Sequence, residues 1–110
     1  MKAKPYKFDG SAYQECEPVD ATHIMLNLPG PTGMIRLPVM IHGQRQGTPN
    51  WSWNGSTDKP TVRPSVLTRF AKGDKEEICH SWIGEGKIAF LLDSTHEFSG
   101  KTMELLEVDL

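Results

Sequence analysis

Apolar positions in this chain come in short runs that alternate with polar residues or are cut by Gly, Pro and Asn, and no stretch of ten or more residues repeats at helical spacing. Residues 23–28 form an apolar run, Pro29-Gly30-Pro31-Thr32-Gly33 stops it, and residues 34–41 resume it, which predicts a hairpin. Pro38 cannot donate to a ladder, so it belongs at an edge, at a bulge or at a break between two short strands. Trp51-Ser52-Trp53 alternates, placing both indoles on one face if extended, and Asn54-Gly55 then signals a turn. The prolines at 60 and 64 make residues 59–65 a stiff, non-helical crossing. Residues 66–70 read as a strand, and the charged stretch 71–77 reads as a solvated loop. Residues 78–83 and 87–92 flank Gly84-Glu85-Gly86, a connection suited to a hairpin. Ser94 followed by Glu97 matches a capping box, and Gly100 could close one helical turn over 94–99. The end of the chain, 102–108, is read as a last strand.

The pattern is that of a mostly β protein: a small antiparallel sheet or sandwich of about six short strands, with one short helical turn near 94–99. Residues 1–20 show neither periodicity and are expected to be an irregular amino-terminal arm; residues 21–110 are expected to form a single β-rich domain. A chain of 110 residues gives a modest core with prominent loops, which disfavours a deep, enclosed site.

Charge changes the picture only by exclusion. A formal charge of −2 argues against a protein that neutralises a run of phosphates, so nucleic acid is not the expected partner. The longest uncharged stretch is broken by Pro29, Gly30, Pro31 and Gly33 and cannot supply a membrane helix. The basic residues near Met1 have no apolar run behind them, so no secretory signal and a cytoplasmic location are expected. Cys16 and Cys79 are accordingly expected to be free thiols.

One cluster suggests chemistry: Cys79-His80, followed by Asp93 and His96. These side chains are of the types that bind zinc, but neighbours on a regular strand face opposite ways, so Cys79 and His80 share an ion only across a bulge. The alternative readings are a buried Cys79 with hydrogen-bonded histidines, or a catalytic Cys-His or Asp-His pair. Trp51, Trp53 and Trp82 are core material, or an aromatic binding surface to which Arg63 and Arg69 add contacts to a carboxylate or phosphate. Asn54-Gly55-Ser56 fits a glycosylation pattern but is read as a turn.

The order Leu28-Pro29-Gly30-Pro31, Arg36-Leu37-Pro38-Val39, Trp51-Ser52-Trp53-Asn54-Gly55, Lys59-Pro60-Thr61 with Pro64-Ser65-Val66-Leu67, Cys79-His80-Ser81-Trp82-Ile83, and Asp93-Ser94-Thr95-His96 with Gly100-Lys101-Thr102 resembles a family of small phage and prophage proteins. That family consists of domains of unknown function, many of them labelled ammonia monooxygenase, a membrane copper enzyme whose spans and copper ligands this sequence lacks. Some of its members carry extra cysteines before the Cys-His pair, where this chain has residues 71–77, so a metal site would fall to Cys79, His80, Asp93 and His96 alone.

The resemblance implies a phage setting, and a small acidic β domain without a strong catalytic motif suits a non-enzymatic cytoplasmic protein that binds a host macromolecule, such as a host-defence antagonist of the CRISPR-inhibitor kind. Two alternatives stand beside it. One is a zinc-binding domain or metal-dependent hydrolase centred on the Cys79-His80, Asp93 and His96 cluster. The other is a domain that sequesters a nucleotide-like ligand with Trp51, Trp53, Arg63 and Arg69. A host protein is the expected partner, and exposed edge strands also admit a homo-oligomer.

Overall fold

The computed structural model describes residues 1–40 and 50–108. Ile41, His42 and the first polar residues of the stretch after them lie outside the described residues. The chain forms two sheets that share one hydrophobic core, as the alternating pattern requires. The larger has six strands: β1 (Ala3–Phe8), β2 (Tyr13–Glu15), β3 (His23–Leu28), β4 (Gly33–Met40), β5 (Trp51–Trp53) and β6 (Val62–Arg63), in the order β2-β1-β3-β4-β5-β6. The smaller has four: β7 (Val66–Lys72), β8 (Lys75–Gly84), β9 (Lys87–Phe90) and β10 (Thr102–Glu104), in the order β10-β9-β8-β7.

Among the described residues, all the strand pairings are antiparallel except that of β4 with β5. Pro38 lies within the continuous strand β4, not at a break between two strands: it is the last residue paired with β3, opposite His23, and the parallel pairing with β5 begins at Val39.

The expected irregular arm over residues 1–20 is corrected by the structure. β1 pairs with β3 on one side and β2 on the other, and its first residues, Ala3 to Pro5, are buried. Of its residues Ala3 alone joins the hydrophobic core, too little to leave a readable alternation. The helical turn expected over 94–99 is a series of turns, with Ser99 N–H donating to the His96 carbonyl and Lys101 N–H to that of Phe98. The one helical piece among the described residues is a 3₁₀ turn at Pro18–Asp20.

The charged stretch 71–77 is exposed, as expected, yet it is strand and not loop. β7 and β8 pair from Val66↔Ser81 out to Lys72↔Lys75 and turn through Gly73-Asp74 alone, with Gly73 at φ +65°. A ladder needs only backbone partners and a turn of the right hand, which a residue free to adopt positive φ provides. Glu85 and Gly86 likewise make a two-residue turn, at φ 52° and 76°, between Gly84 and Lys87.

Alternation along β8 sorts its side chains cleanly. Cys79, Ser81 and Ile83 face the core, while His80 and Trp82 face away from it. Val66, Ile88 and Phe90 from the neighbouring strands join the buried side, where they meet Ile24, Leu26, Val39, Trp51, Trp53 and Val62 of the larger sheet. The outer face of the four-stranded sheet is therefore free to carry chemistry. No helix among the described residues is long and apolar enough to cross a membrane.

Candidate active site

On that outer face three polar side chains line up. Ser65 Oγ lies 2.9 Å from His80 Nε2, and His80 Nδ1 lies 2.8 Å from Asp93 Oδ2 and 3.1 Å from Oδ1. An ionised carboxylate only accepts, so Nδ1 carries the imidazole proton and donates it to Asp93. Nε2 of the neutral ring is then the acceptor, and the Ser65 hydroxyl donates to it. This is the arrangement of a Ser-His-Asp triad, which is recognised by geometry and roles and not by chain order.

Each member is placed by a different device. Ser65 follows the Arg63–Pro64 bond, which is cis, and precedes the buried Val66 that begins β7. Its carbonyl accepts a hydrogen bond from the indole N–H of Trp51 at 3.2 Å, which ties the Ser65 backbone to the larger sheet. His80 sits on β8, and Leu67 of β7 lies directly opposite it.

Asp93 is held by the segment after β9. There Leu91 N–H donates to the His80 carbonyl at 2.8 Å, and the buried Ser94 takes the His80 N–H at 3.0 Å while donating to the His80 carbonyl at 2.9 Å. Thr95 repeats the device one step along: its Oγ accepts from Ile78 N–H at 2.9 Å, its N–H donates to the Ile78 carbonyl, and its hydroxyl reaches the Glu77 carboxylate. Residues 91–95 thus continue alongside β8 through side-chain bonds where β9 has ended, and they bring the Asp93 carboxylate to the edge of the imidazole.

The site is shallow. The His80 side chain is 25% exposed and that of Asp93 63%. Trp82 is 41% exposed and Leu67 46%, giving the triad two apolar neighbours. Continuing the β7–β8 register by one pair beyond Val66↔Ser81 sets Ser65 opposite Trp82.

Of the four residues expected to gather round a metal, the structure brings His80 and Asp93 together, and both ring nitrogens of His80 are engaged in the triad. Cys79 is buried on the opposite face of β8 and is a free thiol, as is Cys16. His96 packs edge-on against Phe90 at 4.8 Å and accepts the Phe98 N–H at Nδ1, which leaves the proton on Nε2. Burial pushes the His96 pKa down, partly opposed by Glu77 and Glu97. Among the described residues, no three His, Cys, Asp or Glu side chains are grouped as metal ligands.

Trp51 and Trp53 are core residues whose indoles donate to the Ser65 and Ser56 carbonyls. Arg69 pairs with Glu76 at 2.9 Å. Arg63 and Trp82 lie together, the guanidinium carbon 5.3 Å from the ring centroid, with Trp82 on the same face of β8 as His80.

Ser65 escaped the sequence reading because no strand-turn-helix motif surrounds it and an isolated Pro-Ser pair is common. Ser94 clamps the His80 backbone and caps no helix, although Ser-x-x-Glu fits a helix cap equally well. The available signal is the presence of His80 and Asp93 in the Cys79, His80, Asp93 and His96 cluster, where the nucleophile considered is Cys79.

A family model for a bacterial ubiquitination-like system serine protease (BubE) matches residues 9–91. The matched span holds Ser65 and His80 and stops two residues before Asp93. No curated protein and no solved structure matches the chain. The family match overturns the resemblance to phage and prophage proteins, including those labelled ammonia monooxygenase, and with it the expected binder of a host macromolecule and antagonist of host defence. The motifs that carried that resemblance, Pro64-Ser65, Cys79-His80 and Asp93-Ser94-Thr95-His96, are those that place the three triad residues and the serine that clamps His80. With most of its length matched and a serine, a histidine and an aspartate in hydrogen-bonded line, this chain belongs to the family of bacterial ubiquitination-like system serine proteases.

Proposed function

We propose that this chain is a serine hydrolase that cleaves an acyl bond in a protein or protein conjugate, with Ser65 as nucleophile, His80 as general base and acid, and Asp93 as the group that orients His80. The observation that carries the reading is the pair of hydrogen bonds Ser65–His80 and His80–Asp93. As Ser65 Oγ attacks the carbonyl carbon, His80 Nε2 takes the hydroxyl proton and Asp93 stabilises the imidazolium that forms. Nε2–H then protonates the leaving amine, thiol or alcohol, and an acyl ester remains on Ser65. Water, deprotonated by Nε2, attacks that ester and restores the serine. A shallow site on an outer sheet face suits a chain laid across the surface better than a small molecule that must be enclosed. The family's ubiquitination-like system supports a protein substrate.

The test is labelling with a fluorophosphonate, which reacts with activated serines, followed by intact-mass measurement and peptide mapping. One adduct on Ser65 is expected, lost in Ser65→Ala and in His80→Ala. A folded wild-type protein that stays unlabelled, or an adduct that maps elsewhere, would defeat the proposal.

A further inference from the structure

One cation stands beside the nucleophile without an acidic partner. Arg63 lies two residues before Ser65, is exposed, and forms no ion pair with any described residue. Its position is nevertheless fixed. One guanidinium nitrogen, Nη1, donates to the Val62 carbonyl at 2.8 Å and to the Ile83 carbonyl at 3.2 Å. The guanidinium plane passes over Gly84, where an added Cβ would sit 3.9 Å from both Nη atoms, and its carbon stands 5.3 Å from the Trp82 ring centroid.

That distance falls within the roughly 6 Å of a cation–π contact. Both Nη1 hydrogens are used on backbone carbonyls, while the Nη2 and Nε hydrogens have no partner among the described residues. Trp82 shares the outer face of β8 with His80, two residues along, so the guanidinium near its ring stands on the face of the sheet that carries the triad.

An arginine held by backbone carbonyls and an aromatic ring has lost most of its rotamer freedom before any ligand arrives, which lowers the cost of forming a bond to an anion. Its planar donors fit a carboxylate, and the charge-assisted bond is about twice as strong as a neutral one. Arg69 offers no such site, because Glu76 already occupies it.

We infer that Arg63 is a specificity residue that receives a substrate carboxylate beside the scissile bond, supplied by an Asp or Glu side chain or by the free carboxylate of a chain end. The inference rests on the triad reading, since it needs Ser65 to be the attacking group.

The probes are four peptide thioesters of one sequence, with Glu or Gln as the acyl residue and 3-mercaptopropionate or 3-mercaptopropionamide as the leaving group. The expected result is that one of the two carboxylates raises kcat/KM about tenfold or more over its neutral counterpart, a preference of about 1.4 kcal/mol. In Arg63→Gln that ratio falls to one, and Arg63→Lys restores part of it. A preference on the acyl side assigns the carboxylate to a side chain; one on the leaving side assigns it to a chain end. A wild-type ratio of one, or a ratio that survives in Arg63→Gln, overturns the inference while leaving the triad standing. If wild type and Ser65→Ala hydrolyse all four equally, the triad reading itself fails, and the inference falls with it.

Discussion

The chemistry of His80 depends on which of its nitrogens carries the proton, and Asp93 decides that. A carboxylate at 2.8 Å from Nδ1 can only accept, so it keeps Nε2 free to accept from Ser65. An asparagine at 93 would offer an N–H to Nδ1 and favour the other tautomer, in which Nε2 carries the proton and cannot take one from serine. Asp93→Asn is therefore expected to lower kcat on the order of 10³–10⁴-fold. Its stability should change by less than about 1 kcal/mol, because the pair is largely open to solvent and exposed ion pairs contribute little. Turnover of a reactive thioester together with a urea melt separates the two effects, and a variant of near wild-type kcat would show that Asp93 does not set the tautomer.

Elements contribute to the site by fixing registers. The β8–β9 turn must put Gly86 at φ 76°, and an added Cβ there would stand 3.1 Å from the Asp58 carbonyl oxygen and 3.3 Å from Lys59 Cα, both backbone atoms. Its N–H also donates to the Pro60 carbonyl at 3.1 Å, so the turn is locked onto the crossing that leads to Ser65. Gly86→Ala is expected to cost about 1–3 kcal/mol, combining positive φ with a clash that neither neighbour can relieve by rotating a side chain. At Gly73, also at positive φ but with nothing within 4 Å, alanine should cost only about 1 kcal/mol. Chemical denaturation of both variants checks the ordering, and equal losses would mean that the close approach at Gly86 contributes nothing. The same elements show what periodicity can reveal. The alternation at Trp51-Ser52-Trp53 and along β8 was readable because one face of each is buried. The outer half of the β7–β8 hairpin was read as a loop because its pairing is carried by backbone alone, with exposed side chains on both faces.

For the molecule as a whole, two histidines packed against aromatic rings link folding to pH. His23 is buried against Tyr13 at 5.0 Å, and burial, with the Arg36 cation adding to it, lowers its pKa. Burial lowers that of His96 as well. A histidine whose folded pKa is depressed binds fewer protons than it does in the unfolded chain. The folded state is therefore favoured above the unfolded pKa of about 6.5 and loses stability as pH falls through it toward the folded value. The urea midpoint is expected to fall between pH 7.5 and pH 5, and to fall less in His96→Asn, whose side-chain oxygen can still accept the Phe98 N–H. A midpoint insensitive to pH across that range would contradict the assignment.

Much of the local structure was determined by the sequence itself: the mostly β class, the hairpin at Pro29-Gly30-Pro31-Thr32, a last strand that covers Thr102–Glu104 of the 102–108 expected, and Cys79 and His80 on opposite faces of one strand. Each follows from side-chain period two, from residues that tolerate positive φ, or from the donor that proline lacks, and all of these act within a few residues. Only the tertiary structure decided that Ser65 is a nucleophile candidate. Its contact with His80 spans fifteen residues and that of His80 with Asp93 thirteen, and both depend on the β7–β8 register and on Ser94 and Thr95 docking against β8. A serine is chemically ordinary until a base comes within hydrogen-bond reach, and that reach is set by strand pairing and packing between segments distant in sequence.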